Sequence, residues 1–516
     1  MRRRSTVLVG GEQSRGCWVL GWVLGIEARA LTAALTAALL LPACGPIAQK
    51  HDVAPRVAPP TQTPYPPAAY AFDDGVCQQD AKPGAEAITK GQIYGWEGDN
   101  VVPRTVAFHD TTASVSLSSS AIHTTVAGAV FQRSCVGAAG SGFACADGSD
   151  ADKGWVEVRG GTPLRLCRDD AVYPRQAVET IGLTSIYFIQ AARDRYLAVT
   201  AAEAAPAPAP IALAVMPAFI TDFSRTNKDG KEVVTRTYIT DNLAYFPDAR
   251  MIAVFPLLAA DKLRRPGFYW ESGFVLGHEY GHHIDFARHG HVLSNVGLTW
   301  DPTIHGFSDQ QALATGLSGS SARAQLAGAE AEGFADLLGY YVGNADGQAI
   351  TGLPWIGHDR DPGDDKFANK ERKVLTAVRL NSLLGLTTRE TEPAFADIHQ
   401  TGAVIAYTAN QVFSQLTAAT SNLETGSPEE IDGRYRLTLA FMDALVAQMA
   451  KLGPEDDAAQ ASLPLSLAFE QATLKALGSA TIKPDIDVLK TKVCQIVARQ
   501  MPGLASAPFS SAGRCE

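Results

Sequence analysis

Residues 278 to 282 read His-Glu-Tyr-Gly-His. On an α-helix, His278 and His282 are four positions apart, so both imidazoles leave one face and can hold one metal ion. Glu279 then stands beside that ion, where it can take a proton from a water molecule. Fifty residues later the chain reads Glu332-Gly-Phe-Ala-Asp336. Glu332 offers a third ligand. Asp336, four residues on and on the same helical face, can orient a ligand histidine. Three protein ligands and one open position make a catalytic zinc site, whereas a structural site closes with four.

Other ligand sets compete. The metzincin pattern requires a glycine and a histidine seven and ten positions after the first histidine. Asp285 and Arg288 stand there, which excludes that class. His283, His289 and His291 fall off the ligand face and read as helix-end and loop residues. Glu330 rivals Glu332 as third ligand, but Phe334, not an acid, follows it four residues on. The stretch Asp359-Arg-Asp-Pro-Gly-Asp-Asp365 lacks EF-hand spacing and reads as a solvated loop.

These side chains need rigid carriers. Phe274, Val275 and Leu276 lead into the first motif, and Ile284 and Phe286 follow it, which is the pattern of a buried helix. A second helix is expected from about Ala322 to Val342, with Ser320 or Ser321 as N-cap and Gly343 as its stop. Upstream, an amphipathic helix should run from Pro174 toward Tyr196, ended by the Ala-Pro repeats at 204–210. Strand-like runs follow at Ile211–Phe219, Val233–Ile239 and Met251–Leu258. Beyond Glu332, helices are expected over Phe367–Leu384, Gly402–Leu416, Pro428–Leu452, Ala458–Leu477 and Pro484–Met501. A small sheet, then the metal helix, then a helical lobe define an α+β fold with a cleft between two halves.

The bulk properties set the surroundings. Hydrophobic residues make up 46% of the 516 and charged residues 19%, so a sizeable core can form. Net charge is −10. Residues 1–43 hold five arginines against two glutamates, so the rest of the chain is more acidic still. That argues against nucleic acid or an anionic membrane surface as partner. The first 43 residues resemble an export signal: arginines, then the apolar run Leu31–Leu41, too short for a comfortable span. The ending Leu41-Pro42-Ala43-Cys44 resembles a lipoprotein signal with Cys44 as the lipidated residue. An ordinary secretory signal cleaved near Ala43 is the alternative, and the arginine-rich lead leaves room for a start downstream of Met1. Residues 44–70 form a Pro-rich tether. Residues 71–175 read as a strand-rich, disulfide-braced region, either a separate domain, a cover or an elaboration of the core. Residues 176–345 would carry the metal site, and 346–516 the helical lobe. Cys77, Cys135, Cys145, Cys167, Cys494 and Cys515 suggest three disulfides in an exported chain, with Cys494–Cys515 the favoured pair.

From Asn242 to Phe413 the residues resemble the thermolysin-like zinc metallopeptidases, the gluzincins. Three motifs carry the resemblance: His278–His282, Glu332–Asp336, and Asp397-Ile-His399-Gln-Thr-Gly402 running into Ala403–Tyr407. The resemblance implies a zincin-like core in which Glu279 is the general base and later the proton donor, and in which Asp336 orients His278. It implies that His399 stabilises the oxyanion of a tetrahedral intermediate and that Asp397 tunes His399. It also implies that Asn242–Phe246 is an edge strand pairing with an extended substrate through Asn242 and Ala244. Ala331 departs from the family, which has an asparagine there to orient the second histidine.

The expectation is therefore an exported, zinc-dependent endopeptidase of the bacterial cell envelope, lipid-anchored and facing the periplasm or exterior, or else secreted. Its partners would be peptide or protein substrates, with no nucleic acid and with membrane contact only through the anchor. An exopeptidase or narrow-target processing protease is a second expectation. A non-catalytic envelope lipoprotein that keeps the fold for binding is a third, and the intact Glu279 speaks against it.

Overall fold

The computed structural model describes residues 86–137, 156–164, 178–255, 269–344 and 398–501, with short breaks inside these ranges, together with Lys50–His51 and a few C-terminal residues. The signal expected over 1–43, most of the tether expected at 44–70, the stretch 359–365 expected as a loop, the helix expected at 367–384, Asp397, and Cys44, Cys77, Cys145, Cys167 and Cys515 lie outside the described residues.

The chain is α+β. Its strands are β1 (Lys90–Glu97), β2 (Asn100–Ala107), β3 (Ile122–Ala127), β4 (Val130–Gly137), β5 (Val156–Arg159), β6 (Thr162–Pro163), β7 (Ile211–Val215), β8 (Ala218–Thr226), β9 (Glu232–Tyr238), β10 (Leu243–Phe246) and β11 (Met251–Val254). Its long helices are α1 (Val178–Thr200), α2 (Gly273–Asn295), α3 (Ala322–Asn344), α4 (Ile398–Thr420), α5 (Pro428–Met449), α6 (Ala458–Gly478) and α7 (Ile486–Gln500). Shorter strands and helical turns connect them.

β1 and β2 pair as an antiparallel hairpin. One five-stranded sheet runs β6-β3-β7-β11-β10. Its centre, β3-β7-β11, is parallel, and β10 closes one edge antiparallel. A second sheet runs β9-β8-β4-β5, with Lys50–His51 beside β9. The expected run Ile211–Phe219 divides between the two sheets. Met216 takes a positive φ of 51° there, turning the chain from β7 into β8. Gly128, at φ 66°, does the same between β3 and β4, where a residue without a Cβ meets no penalty. Strands from residues 122–163 thus pair with strands from 211–254 in both sheets, so the expected boundary at 175 does not coincide with a break in the sheets.

α1, α2 and α3 pack with the first sheet around Ile181, Leu213, Ile252, Leu276, Tyr280 and Leu338, all buried. The same apolar cluster continues into the helical lobe through Phe413, Phe441 and Phe469, whose rings touch in sequence. Ser272 caps α2 by accepting from the Val275 N–H. Ser321 caps α3 by accepting from the Ala324 N–H, one of the two caps expected. α4 begins at Ile398, earlier than the expected Gly402, so His399 belongs to its first turn. α2 extends to Asn295, so His283, His289 and His291 are interior helix residues, a correction to their reading as helix-end and loop positions. Among the described residues no helix is long and apolar enough to cross a membrane. Cys494 is fully buried in α7.

Candidate metal centre

Two helix crossings build the site. α2 and α3 lie so close that a Cβ on Gly281 would come 2.9 Å from the Ala335 Cα, and one on Gly339 would come 2.5 Å from the Phe274 carbonyl oxygen. Only residues without side chains permit that approach. α3 meets α4 in the same way, since a Cβ on Gly402 would lie 2.6 Å from the Glu332 Cβ. The first crossing sets Glu332 against His278 and His282; the second sets His399 against Glu332.

The donor atoms converge. His278 Nε2 and His282 Nε2 are 3.1 Å apart. Glu332 places Oε2 3.5 Å from His278 Nε2 and Oε1 3.7 Å from His282 Nε2. A tetrahedral ion with ligand atoms at about 2.0–2.2 Å separates those atoms by roughly 3.3–3.6 Å. The three distances bracket that range, so His278, His282 and Glu332 form a group that could hold one metal ion. His278 Nδ1 lies 2.9 Å from Asp336 Oδ1, and Asp336 is fully buried. A carboxylate only accepts, so Asp336 stands where it would favour the proton on Nδ1 and leave the Nε2 lone pair for the other ligands. Ala331 is buried and offers His282 no polar atom.

Glu279 is buried, and its Oε2 accepts from the backbone N–H of Tyr245, at 2.8 Å. His399 is buried at the start of α4, with Nε2 3.4 Å from Glu332 Oε1, on the rim of the donor set. Asp397, expected to tune it, lies outside the described residues.

β10 is an edge strand, as the Asn242–Phe246 pattern implied. Its backbone alternation differs from expectation. The Asn242 carbonyl accepts from the Phe255 N–H, at 3.0 Å, while the Tyr245 N–H turns away from β11 toward Glu279. Hydrogen-bonded and outward-facing residues alternate along an antiparallel pair. Asn242 and Ala244 therefore spend their backbone groups on β11, while those of Leu243 and Tyr245 point away from it, the Tyr245 N–H to Glu279. A strand added at this edge would therefore meet Leu243 and the Tyr245 carbonyl rather than Asn242 and Ala244.

A second cluster, Asp285, His289 and Glu330, also brings donor atoms together. Its geometry is different. His289 Nδ1 is 2.5 Å from Asp285 Oδ1, and Nε2 is 2.9 Å from Asp443 Oδ1 on α5. With both ring nitrogens bonded to carboxylates, His289 is an imidazolium with no lone pair for an ion. Burial opposes that charge, but the bonds to Asp285 and Asp443 outweigh it and lift the His289 pKa to about 10. Burial, reinforced by the Asp285 charge, pushes the Glu330 carboxyl well above the usual range. Arg288 forks onto Asp443 with bonds of 2.6 and 2.7 Å. This cluster is bridged by protons. Glu330 faces it, which leaves Glu332 as the acid that faces the histidine pair.

Sequence reading missed two partners. Asp443 is 154 residues from His289, and no local pattern links them. His283 is buried, with Nδ1 2.9 Å from the Tyr245 hydroxyl and Nε2 2.8 Å from the Ala209 carbonyl. Its apolar surroundings, Tyr280 and Ile284, were the available signal that it needed partners.

Compared with known families, with curated proteins and with solved structures, the chain finds no match.

Proposed function

We propose that this chain is a zinc-dependent endopeptidase of the thermolysin-like type, acting on peptide or protein substrates outside the cytoplasm and tethered through a lipid on Cys44. The observation that carries this reading is the convergence of His278 Nε2, His282 Nε2 and the Glu332 carboxylate within 3.1–3.7 Å, with Glu279 next to His278 on the same helix. When bound, zinc would polarise the scissile carbonyl and lower the pKa of water at its open position.

The chain's own residues supply the rest. Glu279 takes the proton from the attacking water and returns it to the leaving amine. Its Oε2 is anchored by the Tyr245 N–H, so the carboxylate keeps one orientation between the two transfers. Asp336 holds His278 in the tautomer that exposes Nε2. His399 donates to the carbonyl oxygen as negative charge grows there, and the N-terminal turn of α4 adds its positive field. The outward backbone groups of Leu243 and the Tyr245 carbonyl on β10 pair with an extended peptide backbone, which orients the scissile bond.

Metal analysis of the purified chain together with mapping of casein fragments tests this reading. One zinc per chain and fragments cut at internal bonds are expected. Products released one residue at a time would assign an exopeptidase instead, and zinc-free, inactive protein would assign a binding role.

A further inference from the structure

We infer that Tyr245 and His283 are positioning residues for the general base: a two-point clamp by which α2 holds the strand that holds Glu279. This deepens the reading of Glu279 as base and rests on it. Glu279 and His283 are four apart on α2 and share a face. Both reach the same residue of β10. The Tyr245 backbone N–H donates to Glu279 Oε2, at 2.8 Å, and the Tyr245 hydroxyl bonds His283 Nδ1, at 2.9 Å.

The proton directions follow from chemistry. The Ala209 carbonyl, 2.8 Å from His283 Nε2, only accepts, so Nε2 carries the hydrogen. Nδ1 of the neutral ring is then an acceptor, and the Tyr245 hydroxyl must donate to it. His283 is thereby anchored to the segment preceding β7 as well as to β10. Breaking the side-chain bond would let β10 move along or away from α2. The amide that fixes the Glu279 carboxylate would move with it, because strand and amide are one rigid unit. Neither Tyr245 nor His283 needs to touch substrate through its side chain for this effect.

Two variants, Tyr245→Phe and His283→Asn, and their combination test the clamp with two readouts. In the zinc-loaded protein each single variant should lower kcat about tenfold with KM changed less than about twofold, the kinetic counterpart of one lost buried hydrogen bond. The double variant should lose no more than His283→Asn alone, because that variant already removes the Tyr245–His283 bond, along with the bond to Ala209. In metal-free protein, amide exchange across residues 243–246 should quicken in all three. If exchange and kcat both stay at wild-type values, or if either changes without the other, the clamp is overturned. If wild type binds zinc but cleaves no peptide, the proposed function fails instead, and the exchange readout still reports whether the strand is held.

Discussion

Asp336 and His399 both adjoin the candidate donor set without belonging to it, and the proposed function gives them different tasks. Asp336 is fully buried against His278 Nδ1, so its removal leaves the ligand ring free to turn. Asp336→Ala should weaken zinc binding about 10- to 100-fold, read by competition with a chelator of known affinity. His399 stands outside the histidine pair, so His399→Ala should keep zinc affinity and lower kcat about 10²- to 10³-fold. Equal loss of zinc and of turnover in that variant would make His399 a ligand rather than a donor to the oxyanion. At this scale the sequence was highly legible, because i, i+4 spacing on a helix turns directly into shared direction. It was silent where partners come from afar, as with His283 and Ala209 or His289 and Asp443.

At the scale of elements, the small residues of the crossing helices decide whether the ligands meet. Gly339→Ala would drive a methyl group against the Phe274 carbonyl, and the helices can only part. Equilibrium urea unfolding should show a loss of about 1–3 kcal/mol, and zinc affinity should fall with it. The Asp285–His289–Asp443 bridge ties α2 to α5 farther along the same helix. His289 is charged in the folded state, with a pKa raised to about 10. A raised pKa favours the protonated fold, so this stabilisation is complete below the ordinary histidine pKa, near 6.5, shrinks as pH rises, and is gone above about 10. Denaturation of wild type and His289→Gln across this range should therefore show a stability difference that narrows from pH 6 to pH 10. A constant difference would mean that the ring is neutral in the fold. Element types were mostly legible: α3, α5 and α6 begin at their expected residues. Strand ends were not, since Met216 turns a continuous apolar run into two strands of different sheets.

For the whole molecule, the α+β plan was legible from the order of strand-like and helical runs. The weaving of residues 122–163 into both sheets was not, because parallel pairing between distant strands leaves no local trace. That weaving predicts that the region cannot be removed as a module. A chain beginning at residue 176 should lack β3 and β4, expose β7 and β8, and aggregate on expression. Zinc binding to the folded chain alone should stabilise all of it, so chelation should lower the Tm of the entire transition rather than of one part. The central claim is that Glu279, beside a zinc held by His278, His282 and Glu332, removes the proton from the attacking water. The most direct measurement is internal peptide-bond cleavage by wild type and by Glu279→Gln at matched zinc content. The account predicts zinc retained and turnover lowered by about 10³-fold or more; unchanged turnover in Glu279→Gln would contradict it.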